Sequence, residues 1–200
     1  MNNYKVTKQS YEENSRAFIE KWKDSNKENN GKIETFINLL SPDAKILDVG
    51  AGFGKDVAYF CERGFDCIGI DFCDEFITKS KTLYTNVEIQ KMSFQEIVFS
   101  ENKFDALWSR GALFHISKKD FNSVLNKLSM ILKPNGVFYI QLIAGNHDGI
   151  IDRIGDIEAP AHYSYYSDEE LKYIMSKYGF DYIKEYPIEG WLNHYYKLNK

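Results

Sequence analysis

The sequence predicts an α/β fold: a doubly wound, mostly parallel seven-stranded sheet closed by an antiparallel C-terminal strand. Three observations predict it. From Lys45 onward, short apolar runs alternate with helix-period segments. The connections between them are short, as in a parallel sheet covered on both faces. The last two strand candidates lie too close in sequence for another crossover, which favours an antiparallel hairpin.

Strand-like runs occupy Lys45–Val49, Asp66–Ile70, Val87–Lys91, Phe104–Ser109 and Val137–Leu142. Helix-period segments between them cover Lys55–Arg63, Asp74–Leu83 and Lys118–Leu132, with a short turn around Gln95–Val98. Gly64 ends the first of these helices and the Pro-Asn-Gly at Pro134–Gly136 follows the third, both usual terminators. Ser167-Asp168-Glu169-Glu170 is a capping signature for a helix running to about Lys177, which Gly179 stops. Phe180–Tyr186 and Trp191–Lys197 complete the strands.

Upstream of the first strand, Tyr11–Lys23 and Ile33–Leu40 read as helices, joined by the polar stretch Asp24 to Gly31, a flexible connector. Ala144–Tyr166 shows no clear period and reads as a long loop holding His147, Asp148, Arg153, His162 and several tyrosines. The expected organisation is one domain over residues 1–200: a helical cap (1–44), a ligand-binding core (45–143), a substrate-side loop (144–166) and a C-terminal helix and hairpin (167–200).

Bulk properties narrow the function. The net charge of −4 and the absence of a Lys/Arg run argue against a nucleic-acid partner, which needs clustered positive charge. No apolar stretch spans a bilayer and the polar start is no signal peptide, so a cytoplasmic protein with no membrane partner is expected. The three cysteines, Cys61, Cys67 and Cys73, are odd in number and fit no zinc spacing; reduced structural thiols and no metal site are expected.

The most informative stretch is KILDVGAGFG, Lys45 to Gly54. A buried strand breaking into Gly50, Gly52 and Gly54 lets backbone approach a ligand closely. Asp71, at the end of the next strand, is placed to accept from two ribose hydroxyls. These features indicate a nucleoside cofactor. A dinucleotide fingerprint requires a third glycine where this chain has Lys55.

Asp48 followed by GxGxG resembles the first motif of the class I S-adenosylmethionine-dependent methyltransferases. Phe104 to Ser117 is similar to their fourth-strand segment. Tyr165 to Leu171 and Trp191-Leu192-Asn193 look closest to a subgroup of TehB-like and other small-molecule methyltransferases. The resemblance implies a Rossmann-like methyltransferase fold, S-adenosyl-L-methionine as cofactor and methyl transfer to a small-molecule acceptor. Cofactor contacts are then implied for Asp48, Gly50, Ala51, Gly52, Asp71, Phe72, Ser93, Phe94 and Arg110. Ser93 departs from the acidic residue the family often places against adenine, with Met92 and Phe94 flanking the ring.

Arg110 and His115 are the polar residues nearest the expected reaction centre. Arg110 suits the cofactor carboxylate, an anionic substrate or an ion pair; His115 is a candidate general base or a satisfied structural histidine. Tyr11, Arg110 and His115 are the candidate substrate contacts. Two other readings stand beside methyl transfer: an NAD(P)-dependent oxidoreductase, and a non-catalytic adenosylmethionine-binding sensor or partner subunit. The acceptor atom and the oligomeric state are not legible.

Overall fold

The computed structural model describes residues 3–23 and 30–200. Six helices are described, α1 (Asn3–Trp22), α2 (Asn30–Ile37), α3 (Lys55–Glu62), α4 (Asp74–Leu83), α5 (Lys118–Ile131) and α6 (Asp168–Lys177). Nine strands accompany them among the described residues: β1 (Lys45–Val49), β2 (Asp66–Asp71), β3 (Glu88–Lys91), β4 (Phe104–Ser109), β5 (Leu132–Ala144), β6 (His147–Ile154), β7 (Ile157–Tyr166), β8 (Phe180–Glu185) and β9 (Trp191–Leu198).

β3-β2-β1-β4-β5 form a parallel sheet, and β9 runs antiparallel beside β5 over seven pairs, from Val137↔Lys197 to Ile143↔Trp191. β8 pairs with β9 as the hairpin outside it. These are the seven expected strands. Side chains alternate between two cores, as strand geometry requires. Ile46, Ala106, Trp108 and Tyr139 pack on one face with Phe36 and Phe60 from α2 and α3. Leu47, Leu107, Phe138 and Ile140 pack on the other, against Phe18 and the buried stripe of α5.

The two additional strands overturn the expected loop at 144–166. β6 and β7 form an antiparallel hairpin turning at Gly155, and β7 adds to the end of β5 in parallel through Ile143↔Tyr165 and Ala144↔Tyr166. β7 is buried on both faces over Ala161–Ser164, so apolar-polar alternation disappears; in β6 a register shift between Ile151 and Arg153 breaks it.

α1 starts at Asn3, eight residues before the expected Tyr11. Its first two turns bury Thr7 and Ser10, which bond the hairpin. Ser10 Oγ donates to the Pro160 carbonyl and Thr7 Oγ1 accepts from the His162 amide. Polar contacts of this kind carry no hydrophobic period. α2 lies three residues N-terminal to its expected position, with residues 38–40 held as successive turns. Of the expected connector Asp24 to Gly31, residues 24–29 lie outside the described residues and Gly31 belongs to α2.

Ser117 and Ser167 cap α5 and α6, accepting from the amides of Asp120 and Glu170. The three cysteines are free thiols, two of them buried. No described helix is long and apolar enough to cross a membrane.

Candidate functional site

A cavity of about 590 Å³ opens at the C-terminal ends of β1, β2 and β4, roofed by α1 and the β6–β7 hairpin. It lies where the strand order reverses between β1 and β4, the place where open α/β sheets bind ligands. Among the expected cofactor contacts, Asp48, Gly50, Ala51, Gly52, Asp71, Phe72, Phe94 and Arg110 line it, and so do Tyr11 and His115. Ser93 does not. It is buried, and its hydroxyl donates to Glu96 at 2.7 Å across the 3-10 turn Phe94–Glu96. Met92 also lies outside the cavity wall.

β1 delivers the chain into the glycine turn, which folds back on β2: the amides of Gly50 and Ala51 both donate to the Ile70 carbonyl at 3.0 Å. Gly50 has φ +84°, and a Cβ there would stand 2.3 Å from Ala112 Cβ. Its glycine serves close packing. Gly52, at φ +55°, is different, since a Cβ there would meet no atom within 4 Å. Its glycine keeps open space at the cavity wall.

Asp71 ends β2 with its carboxylate held by two amides, Oδ2 accepting from Gly52 at 2.8 Å and Oδ1 from Cys73 at 2.9 Å. Burial pushes this carboxyl up to about 6, against the opposing pull of amide bonds from Cys73, Gly52 and Phe72. Asp71 therefore organises the turn rather than capping α4, whose N-cap position is Cys73. Asp48 is also buried, and burial together with Asp56 and Asp71 raises its carboxyl well above the ordinary range despite the opposing charge of Arg110.

Arg110 is committed to a partner absent from the sequence reading. Its Nε and Nη2 donate to the two oxygens of Asp56 at 2.6 and 2.8 Å, a bidentate pair, and Trp108 Nε1 donates to Asp56 Oδ2 at 2.7 Å. This is a buried ion pair, with Arg110 and Asp56 20% and 8% exposed at their side chains. Asp56 was legible only as an acid in the first turn of α3, an ordinary helix feature.

On the hairpin side the wall is aromatic. Phe114 and Tyr163 stack at 5.4 Å, Trp191 lies 6.1 Å from Phe114, and Tyr165 completes it. His115 sits within this wall with both ring nitrogens engaged. Nδ1 is 2.7 Å from the His162 carbonyl, which can only accept, so Nδ1 carries the proton; Nε2, 2.9 Å from Tyr11 Oη, then accepts from the tyrosine. Burial pushes the imidazole down to about 4, outweighing the bond to the His162 carbonyl. His115 is thereby neutral and hydrogen-bonded on both sides near neutral pH, the arrangement of a positioning residue rather than a free base. Phe114 and Trp191 are not among the expected contacts: Phe114 belongs to a segment noticed through resemblance, and Trp191 to one read both as the start of a strand and through resemblance.

Residues 47–140 match the methyltransferase domain family model. The chain is 30% identical over 105 residues to the phosphoethanolamine N-methyltransferase of Plasmodium falciparum, covering 50% of this chain and 40% of the relative. It is 27% identical over 113 residues to a glycine/sarcosine/dimethylglycine N-methyltransferase of Actinopolyspora halophila, covering 53% of this chain and 19% of that protein. The chain thus spans less than half the length of these curated relatives. Among solved structures, the Burkholderia thailandensis 1,6-didemethyltoxoflavin-N1-methyltransferase with bound 1,6-didemethyltoxoflavin and S-adenosylhomocysteine superposes with TM-score 0.72 at 20% identity, covering 96% of this chain and 88% of the other. At that identity the likeness establishes the fold.

Proposed function

We infer that this chain is a class I S-adenosylmethionine-dependent methyltransferase and transfers the methyl group of that cofactor to a nitrogen atom of a small-molecule acceptor. One observation carries the cofactor reading: the Asp71 carboxylate is bonded to the Gly52 amide, and both face the cavity where Gly52 leaves room for a ligand. Adenosylmethionine is cationic at its sulfonium and ammonium, and such charge would favour the ionised forms of the buried acids Asp48 and Asp71, which burial disfavours. Asp71 would accept from the ribose hydroxyls, the Gly50–Gly52 backbone would border the methionine part, and Phe72 and Phe94 would flank adenine. When bound, the cofactor supplies an electrophilic methyl group for in-line displacement.

The chain's own residues contribute position and dryness. The aromatic wall excludes water, and Tyr11, fixed by His115, presents its hydroxyl at the cavity. The Arg110 charge is balanced by Asp56, which weakens the case for an anionic acceptor. A nitrogen with its lone pair free needs no base before transfer, consistent with the committed state of His115. The named activities of the relatives, N-methylations of phosphoethanolamine, of glycine, sarcosine and dimethylglycine, and of 1,6-didemethyltoxoflavin, support the same acceptor atom.

The test is calorimetry with adenosylmethionine and adenosylhomocysteine, followed by turnover against a panel of small amines and N-heterocycles with adenosylhomocysteine release as readout. Saturable binding of both nucleosides and release that depends on one amine class are expected. Absence of heat from folded protein at millimolar ligand refutes the cofactor reading. Binding without turnover across the panel supports the sensor reading instead. Titration with NAD separates the oxidoreductase reading and is expected to give no heat.

A further inference from the structure

Away from the cavity, three side chains from separate elements converge: Asp168 from the first residue of α6, Glu185 from β8 and His194 from β9. Glu185 and His194 are cross-strand partners in the terminal hairpin. His194 is fully buried, with Nδ1 2.9 Å from Tyr196 Oη. Its Nε2 faces Asp168 Oδ1 at 3.1 Å and Glu185 Oε2 at 3.7 Å. Neither His194 Nε2 nor Asp168 Oδ1 makes an aligned hydrogen bond, although both atoms are shut off from solvent. A buried nitrogen without a partner, aimed between two carboxylates, is costly unless something occupies the space between them.

We propose that Asp168, Glu185 and His194 bind a divalent transition-metal ion of the zinc class, with water completing the coordination. The donor atoms all lie within 4.8 Å of one another. Zinc holds nitrogen and oxygen donors at about 2.0–2.2 Å, so a tetrahedral site sets them roughly 3.3 Å apart, close to the 3.1 and 3.7 Å from His194 Nε2 to the two carboxylates. Tyr196 occupies the outer position that orients a ligating imidazole: its oxygen lies 2.9 Å from Nδ1, and in the tautomer that donates from Nδ1 the Nε2 lone pair is free for the ion. Lys172 bonds the other oxygen of Asp168, Oδ2, at 2.8 Å and leaves Oδ1 for the ion. The ion would clip the start of α6 to the terminal hairpin. None of the three ligands lines the cavity, so the role is structural and independent of methyl transfer.

The experiment is titration of chelator-treated full-length protein with Zn²⁺ by calorimetry, thermal melting with and without the ion, and absorption spectra with Co²⁺. One site per chain, a midpoint raised by several degrees and a cobalt spectrum without a thiolate charge-transfer band are expected. Asp168→Asn and Glu185→Gln, at partly exposed positions, should each weaken binding by about tenfold or more while keeping the metal-free melting curve near wild type. His194→Gln should abolish the site where it folds. No binding by folded wild-type protein overturns the proposal. Wild-type affinity in the two carboxylate variants, or a thiolate band assigning the metal to the cysteines, overturns it too.

Discussion

The cavity wall along β1 and β2 and the wall along the β6–β7 hairpin are made of different materials. The first is backbone and carboxylate: a glycine turn at positive φ, two amides on Asp71, and Asp48 behind them. Its residues lie close together in sequence, and each position is fixed by a hydrogen bond or by lack of room. The second is a mosaic of rings drawn from α1, the segment after β4, β7 and β9. It is held by stacking and edge contacts, which tolerate exchange among large apolar side chains. One wall suits a ligand with fixed hydrogen-bonding groups and the other suits an apolar or aromatic surface.

That contrast breaks most readily at Asp71. Replacing it with Ala would remove the two charge-assisted bonds proposed to the ribose, at about 1.5 kcal/mol each or more, so adenosylhomocysteine affinity should fall about hundredfold in calorimetry. A proton competes for the same carboxylate. Because burial raises its pKa to about 6, wild-type affinity should decline as pH falls below about 6, and Asp71→Asn should lose that dependence. Unchanged affinity in the alanine variant removes Asp71 from the ribose.

The two glycines sharpen the distinction between packing and binding. Gly50→Ala forces a methyl group against Ala112 and should lower stability by about 3 kcal/mol, read from chemical denaturation. Gly52→Ala meets only the cost of left-handed backbone, about 1 kcal/mol, yet should weaken cofactor binding about tenfold by filling the cradle. Equal effects of both on stability and neither on binding would make the whole turn structural.

On the aromatic side, Trp191→Leu should raise the acceptor KM about tenfold and leave adenosylhomocysteine affinity within about twofold of wild type, since the ring faces Phe114 rather than the glycine turn. A parallel loss of cofactor binding would merge the two walls into one.

The smallest effect concerns His115. Its folded pKa, about 4, lies below the ordinary 6.5, so its contribution is complete above about pH 6.5 and is lost as pH falls toward 4. His115→Asn should cost about 1–2 kcal/mol near neutral pH, with the penalty shrinking over that window; Asp71, shifted upward, contributes with the opposite sign in wild type and variant alike. A penalty independent of pH would contradict the neutral, doubly bonded imidazole.

The sequence made the first wall readable and the second only partly so, for a physical reason. Glycine spacing, a strand-end acid and alternating strand and helix are local signals, and they placed Gly50, Gly52 and Asp71 together. The hairpin was hidden because β7 is covered on both sides, and the early turns of α1 because they bury Thr7 and Ser10 against it. Asp56 on Arg110 and the grouping of Asp168, Glu185 and His194 arise from tertiary pairing across long separations, which no local window contains.

The attachment of the hairpin carries a consequence for descent and engineering. β7 meets β5 through two residue pairs, while α1 bonds β7 through Asn3, Thr7 and Ser10. Roof helix and hairpin thus form a cassette, anchored to the body of the fold by those two pairs and by bonds of His162 and Ser164 to the segment after β4. Exchanging that cassette between homologues would re-cut acceptor preference while the donor half kept its inherited form.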